Sequence, residues 1–370
     1  MDIDHYTLGI FVAVSGTLIL IRFLRPVFQA LSLLIALPFM NHLQRIFGLR
    51  SNASAAVKFF ENFRVGGHRG APRVAPENTI ESFEKAKSSG VDLVEFDLTL
   101  TKNGIPVVIH DDDLMRTCGE PGLVSSLTLE ELGAKNAGKT FQPLKKSVEK
   151  PSQHRPFSMQ VDWFYSCASD NETCSKFYHI PTLESTVKYC QDNDLKMLFD
   201  VKNSSFEMVS QIASVISANN LYNNVIVSSF FPWVSYAIKK ADPQILTGVT
   251  WRPYLIAYKD LDCEIPRFSG LKHFVALLLD HVNRKLMDGF LPKFLGVEML
   301  LIYEKEISNG LVKRMKDLNI QVVAWTVNDP LQMLYLVNSL KVPILTDLPH
   351  VYNDLKAVQM EIRSKIETKN

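Results

Sequence analysis

From residue 63 onward, short β-branched and apolar runs alternate with stretches whose apolar positions recur at helical spacing. The strand-like runs are RVGGH (64–68), LVEFDLTL (93–100), KMLFDVK (196–202), NVIVSSF (224–230), ILTGVT (245–250), LGVEML (295–300), QVVAWTV (321–327) and PILTD (343–347). Helices are predicted between them over 77–89, 183–193, 206–219, 232–241, 306–317 and 330–339. Strands that alternate with helices build parallel sheets, and eight of them predict a closed α/β barrel of the (β/α)8 TIM type.

A further run, IPVVIH (105–110), follows the second strand after only Thr101–Gly104, too few residues for a parallel crossover. Asn103-Gly104 is a hairpin signal. The second strand therefore extends past the rim and returns antiparallel, bringing His110 back to it. Two segments are longer than ordinary connections. Residues 138–180 are polar and read as a surface insertion, whereas 254–292 contain HFVALLLDHV (273–282) and GFLPKFLG (289–296). A single membrane crossing there would separate strands of one barrel. The stretch is expected to be a membrane-surface helix or lid beside the site, or else a plain barrel helix.

The amino terminus carries two apolar runs, 6–21 and 26–40, separated by Arg22 and Arg25. Sixteen helical residues reach ~24 Å against a hydrocarbon core of ~30 Å, so the first run just spans with its flanks included. The start Asp2, Asp4 is unlike a signal peptide, and residues 1–50 are read as a retained anchor of one or two crossings. Two crossings place the rest of the chain in the lumen or outside the cell, one places it in the cytosol. Sequons at Asn52, Asn171 and Asn203, with Cys167 and Cys174 bracketing the second as a candidate disulfide, favour a lumenal or extracellular glycoprotein. The barrel is expected over 63–350, with 351–370 as a charged helical tail.

The 370 residues are 46% hydrophobic, enough for one barrel-sized core. A formal charge of +1, without basic runs, argues against nucleic acid as a partner.

Barrel sites collect at the carboxyl ends of the strands. That rule gathers His68 and Arg69 after the first strand, Glu95 and Asp97 on the second, His110 on the return arm, Asp200 and Lys202 on the third, and Trp325, Thr326 and Asn328 at the seventh. Glu95 and Asp97 share one strand face, as do Asp200 and Lys202. Three carboxylates converging without partners repel one another, and a divalent cation resolves this; all-oxygen ligands suit Mg²⁺ or Ca²⁺. Both histidines then remain available as base and acid, and Arg69 and Lys202 add positive charge that fits a phosphate. Metal-assisted phosphoester cleavage is the expected chemistry.

The segments HRGAPRVAPENT (68–79), VEFDLTLTKNGIPVVIHDDDLMRT (94–117), FDVK (199–202), VSSF (227–230), WTVND (325–329) and ILTD (344–347) resemble the glycerophosphodiester phosphodiesterase family. The resemblance spans essentially 63–350 and extends to the membrane-anchored animal branch, active on glycerophosphoinositol and related lysolipid-type substrates, which the chain resembles in its apolar amino-terminal runs, FDVK and an apolar stretch late in the barrel. It implies His68 as general base, His110 as general acid, Glu95, Asp97 and Asp200 as metal ligands, and Arg69 and Lys202 as phosphate contacts. Glu77 and Asn78 match an acid–amide pair expected to orient His68, Arg69 or the substrate. Asp200 stands where many relatives carry Glu, which bears on whether Mg²⁺ or Ca²⁺ is held. The implied reaction is hydrolysis of a glycerophosphodiester (glycerophosphoinositol, glycerophospho-N-acylethanolamine or lysophospholipid) to glycerol 3-phosphate or lysophosphatidic acid and an alcohol. The nucleophile is water or the glycerol 2-hydroxyl.

Other readings are plainer. Gly66 and Gly67 are expected to turn the chain at the strand end. Asp111, Asp112 and Asp113 are read as a solvated rim, and Trp325 either stacks on a substrate glycerol or fills the mouth. Ser228 and Ser229 lack a nucleophile elbow. The alternative function is a catalytically weak barrel acting as a membrane protein-interaction partner.

Overall fold

The computed structural model describes residues 40, 42–146, 165–167 and 176–357. The apolar runs, apart from Met40, lie outside the described residues, as do Asn171, Cys174 and 358–370. Two units divide at Gly48 and Leu49. Residues 42–47 of the first are helical. Among the described residues no helix is long and apolar enough to cross a membrane.

In the second unit the strands run in chain order as β1 (Val65–Gly67), β2 (Leu93–Leu100), β3 (Pro106–Val108), β4 (Leu144–Lys146), β5 (Tyr165–Cys167), β6 (Lys196–Val201), β7 (Val225–Ser228), β8 (Leu246–Trp251), β9 (Met299–Tyr303), β10 (Gln321–Trp325) and β11 (Ile344–Thr346). β1, β2 and β6 to β11 are parallel neighbours, and the barrel closes because β1 pairs with both β2 and β11. β3 is the antiparallel return arm, with Leu98 opposite Val108 and Leu100 opposite Pro106. Gly104 makes its turn at φ 74, donating to the Thr101 carbonyl at 3.0 Å. β4 and β5 pair within the 138–180 insertion.

Every residue of β2 is buried, so polarity alone does not reveal which side faces inward; the packing does. Val94, Phe96 and Leu98 join the layer between strands and helices, while Leu93 joins an inner cluster with Leu198, Ile226, Leu246, Leu301, Val323 and Leu345. The helix Ala53–Phe60 closes the amino-terminal end of the barrel by adding Ala56 and Phe59 to that cluster. With inward positions two residues apart, the next ones up the second and third barrel strands are Glu95 and Asp97, and Asp200. The interior is therefore apolar at its floor and ionic at its mouth.

Lys239 and Glu298 are fully enclosed near the floor at 2.7 Å; Glu298 also accepts the N–H groups of Thr247 and Asn52. The same residues explain why β9 starts at Met299 rather than at 295 as its apolar run suggested. Leu295 ends the helix Phe290–Leu295, Gly296 follows in the left-handed region at φ 66, and Glu298 turns to Lys239. The 254–292 segment supplies the helix Gly270–Met287, which occupies the position of the barrel helix after β8. Residues 349–357 are helical, with Val351 and Tyr352 in the main core.

Candidate active site

The turn after β1 is shaped by a close backbone approach. A Cβ on Gly67 would lie 2.2 Å from the Gly70 carbonyl oxygen, and one on Gly70, at φ 85, would lie 2.5 Å from Ser82 Oγ. Gly66 and Gly67 thus sit inside the strand, and the turning glycine is Gly70, a correction to the sequence reading. Arg69 is left-handed at φ 52, a conformation costing about 1–3 kcal/mol that its surroundings hold in place. Its N–H donates to Glu95 Oε2 at 2.8 Å, and its carbonyl accepts from Asn78 N at 3.1 Å and Ser82 Oγ at 2.9 Å.

Glu95, Asp97 and Asp200 are buried and each presents an oxygen within 4.8 Å of the other two. The register explains the meeting, since Asp97 pairs directly with Asp200 across β2 and β6. Lys202 Nζ lies 3.0 Å from Asp97 and 2.5 Å from Asp200, and Arg69 Nε lies 3.2 Å from Asp97. Burial pushes the Glu95 carboxyl up to about 8, helped by the charge of Asp97. Asp97 goes the other way: burial opposes its ionisation, but Lys202, His110 and Arg69 overcome it and hold it far below the carboxylate range. Three buried hard-oxygen donors within one cation's reach, one of them reluctant to ionise, fit a divalent metal.

Each histidine is backed by a carboxylate. His68 Nδ1 lies 2.7 Å from Asp347 Oδ1, and His110 Nδ1 lies 2.6 Å from Asp111 Oδ1. A carboxylate only accepts, so Nδ1 donates in both pairs and the lone pair of each neutral ring is on Nε2. Ile109 N donates to the Asp97 carbonyl at 3.1 Å, which fixes the return arm beside the carboxylates. Burial disfavours the charged form of His68, as does Arg69. The hydrogen bond from Asp347 and the charge of Glu95 outweigh both and raise its pKa above the ordinary value.

Residues 68–351 match the glycerophosphoryl diester phosphodiesterase family. The chain belongs to this family. Glycerophosphodiester phosphodiesterase 1 of Homo sapiens is 29% identical over 282 residues, and that of Bos taurus 31%, each alignment covering 76% of both chains. The fold is shared with solved family structures. A phosphodiesterase of Oleispira antarctica in complex with the product sn-glycerol-3-phosphate is 21% identical, with TM-score 0.55 and coverage of 80% of this chain and 98% of that one. The glycerophosphodiester phosphodiesterase of Agrobacterium tumefaciens is 17% identical, also with TM-score 0.55, covering 78% and 98%.

Several family-motif residues touch partners that the sequence did not reveal. Glu77 does orient Arg69, accepting from Nη1 at 2.9 Å, and also accepts two bonds at 2.7 Å from Arg116, a residue that sequence reasoning missed. Asn78 grips Asp97 with its side chain, Nδ2 donating to Oδ2 at 2.8 Å, while its backbone N–H holds the Arg69 carbonyl at 3.1 Å. Asn328, a substrate-binding or orienting candidate from its place at the seventh strand, holds Asp347, donating from Nδ2 to Asp347 Oδ2 at 2.9 Å and accepting from Asp347 N at 2.9 Å. Asp111 is no solvated rim residue, since it bridges His110 and Arg116. Trp325 packs edge-on to Phe230 at 5.5 Å, and its buried Nε1 has no hydrogen-bond partner among the described residues. Ser228 bonds Thr250 and Ser229 bonds the Val201 carbonyl, so neither serine is set up as a nucleophile.

Proposed function

We propose that the protein hydrolyses glycerophosphodiesters in a metal-dependent reaction, with His68 and His110 as the proton-transfer pair. One observation carries the reading: two rings, each held through Nδ1 by its own carboxylate, flank a cluster of three buried carboxylates with Arg69 and Lys202 beside it. Glu95, Asp97 and Asp200 would hold Mg²⁺ or Ca²⁺, which when bound polarises the phosphoryl oxygens and offsets their charge. His68 Nε2 takes the proton of the nucleophile, water or the glycerol 2-hydroxyl. Asp347, fixed by Asn328, stabilises the imidazolium that results. His110 acts as the imidazolium: its Nε2–H proton goes to the departing alcohol, which leaves the lone pair on Nε2, and Asp111 keeps that ring in register through Nδ1–H. Arg69 and Lys202 bind the phosphate, and the indole N–H of Trp325 donates to a substrate oxygen at the mouth.

The substrate classes proposed are glycerophosphoinositol, glycerophospho-N-acylethanolamine and lysophospholipids, giving glycerol 3-phosphate or lysophosphatidic acid and an alcohol. This reading includes an anchor within residues 1–50 and a barrel on the lumenal or extracellular side, supported by the apolar runs and the sequons. The test is turnover of the full-length protein on glycerophosphoinositol, glycerophosphocholine and a lysophospholipid, each with Mg²⁺, Ca²⁺ or a chelator. Cleavage that the chelator abolishes and one ion restores is expected. Folded protein that cleaves none of the three would overturn the reading.

A further inference from the structure

We propose that the outward face of the helix Gly270–Met287, together with the loop before it, rests on the surface of an anionic lipid bilayer. A barrel helix normally turns its apolar stripe inward and its polar residues to water. The helix Ile80–Ser88, on the opposite side of the barrel, does so: Phe83 and Ala86 are buried, and Glu84, Lys85 and Lys87 are exposed. In Gly270–Met287 the order is inverted. Its buried stripe of Ala276, Asp280 and Met287 includes the helix's one acid, whereas Leu271, Phe274, Val275, Leu278, Leu279 and Val282 are exposed. Leu271 is 78% exposed, Phe274 66% and Leu278 56%. The apolar surface runs about 17 Å along the axis, far more than the scattered single residues of an ordinary surface.

The loop continues this face and is firmly built. Arg252 donates to the carbonyls of Tyr258, Lys259 and Asp260, and Asp280 accepts the N–H groups of Ile256 and Ala257 at 3.0 and 2.8 Å. So braced, the loop exposes Leu261, Ile265 and Phe268. Because it leaves the carboxyl end of β8, these side chains stand at the rim of the mouth. The exposed Trp233, stacked on Phe231 at 4.9 Å, follows the neighbouring strand β7 at the same end.

One observation favours a bilayer over a second copy of the chain. The charges that the helix exposes are all basic; Arg284 is paired with Glu306 at 2.5 Å, which leaves Lys272 and Lys285 to complement anionic headgroups and to repel their own image, while the exposed charges of the loop, Lys259, Asp262, Glu264 and Arg267, balance.

The test uses full-length protein in vesicles of phosphatidylcholine with a minority of phosphatidylserine. A photoreactive benzoylphenylalanine replaces Phe274 or Leu278, one at a time, with Glu84 as the control position. After irradiation, lipid adducts at both outward positions are expected on the order of tenfold above the control, as for side chains lying roughly 5–10 Å into the interface. The yield should fall when phosphatidylserine is omitted. Adducts at control level, or cross-links to a second copy of the chain, would overturn the proposal, and a yield indifferent to phosphatidylserine would overturn its anionic part. Matching circular dichroism of the three variants ensures that a low yield counts against the idea. The readout is a lipid adduct and not turnover, so it stands or falls separately from the hydrolytic reading.

Discussion

Asp347 and His68 are 279 residues apart in the chain, yet their hydrogen bond sets the proton affinity of the proposed base. Burial works against the Asp347 charge, but the His68 contact and Asn328 hold its carboxyl below the usual range. Because Asp347 raises the His68 pKa and the base works as neutral imidazole, Asp347→Asn should move the acid limb of the kcat/KM profile to lower pH. Activity should fall by about 10²-fold, since a base whose tautomer is no longer fixed loses much of its effect. An unmoved limb would count against the assignment. The carboxylate cluster gives a second expectation. Glu95, with its carboxyl near 8, must lose its proton to ligate, so cation affinity should rise with pH and flatten once the pH passes that value. Titration calorimetry in two buffers of different ionisation enthalpy reads the expelled proton directly; a pH-independent affinity would refute the coupling. That His68, His110, Glu95, Asp97 and Asp200 would gather at one end of the barrel was legible from residue type and strand spacing. The partners Asp347, Asp111 and Arg116 were not, because each is defined by which strands and arms become neighbours, and local periodicity does not encode that.

At the scale of elements, alternation of strand and helix was enough to place all eight barrel strands and the return arm. The shift of β9 by four residues arose because an apolar run records burial, not hydrogen bonding, and Leu295 is buried as the end of a helix. Asn103-Gly104 was legible as a hairpin since few residues tolerate that turn. At φ 74 an alanine is strained by about 1–2 kcal/mol, and its Cβ would lie 2.2 Å from Glu207 Oε1. Gly104→Ala should therefore lower the thermal midpoint. It should also reduce kcat more than it raises KM, because the arm it bends carries His110; an unchanged kcat would show that the arm is positioned by other contacts. The helix Gly270–Met287 was expected from the sequence as a membrane-surface helix, a lid or a plain barrel helix, and which face it turned outward required the fold.

For the molecule as a whole, the closed barrel was predictable from the count of strands, but its floor was not. Helix Ala53–Phe60 lies before the first strand, and nothing in its pattern says that it folds under the sheet. The enclosed Lys239–Glu298 pair ties that floor together, with the Asn52 backbone donating to Glu298. Glu298→Ala leaves a buried ammonium unpaired and should cost about 3–5 kcal/mol in denaturant unfolding, whereas replacing both residues with methionine should recover much of the loss. A single replacement without measurable cost would show that water reaches the pair. The plugged floor also governs traffic. With Phe59 and its neighbours sealing one end among the described residues, the barrel is a cul-de-sac, so whatever reacts at the carboxylates comes and goes by one doorway. A phosphomonoester product still in that doorway would block the next diester, so its inhibition should be competitive, and clearance of the doorway should set a ceiling on the rate that no improvement in proton transfer can lift.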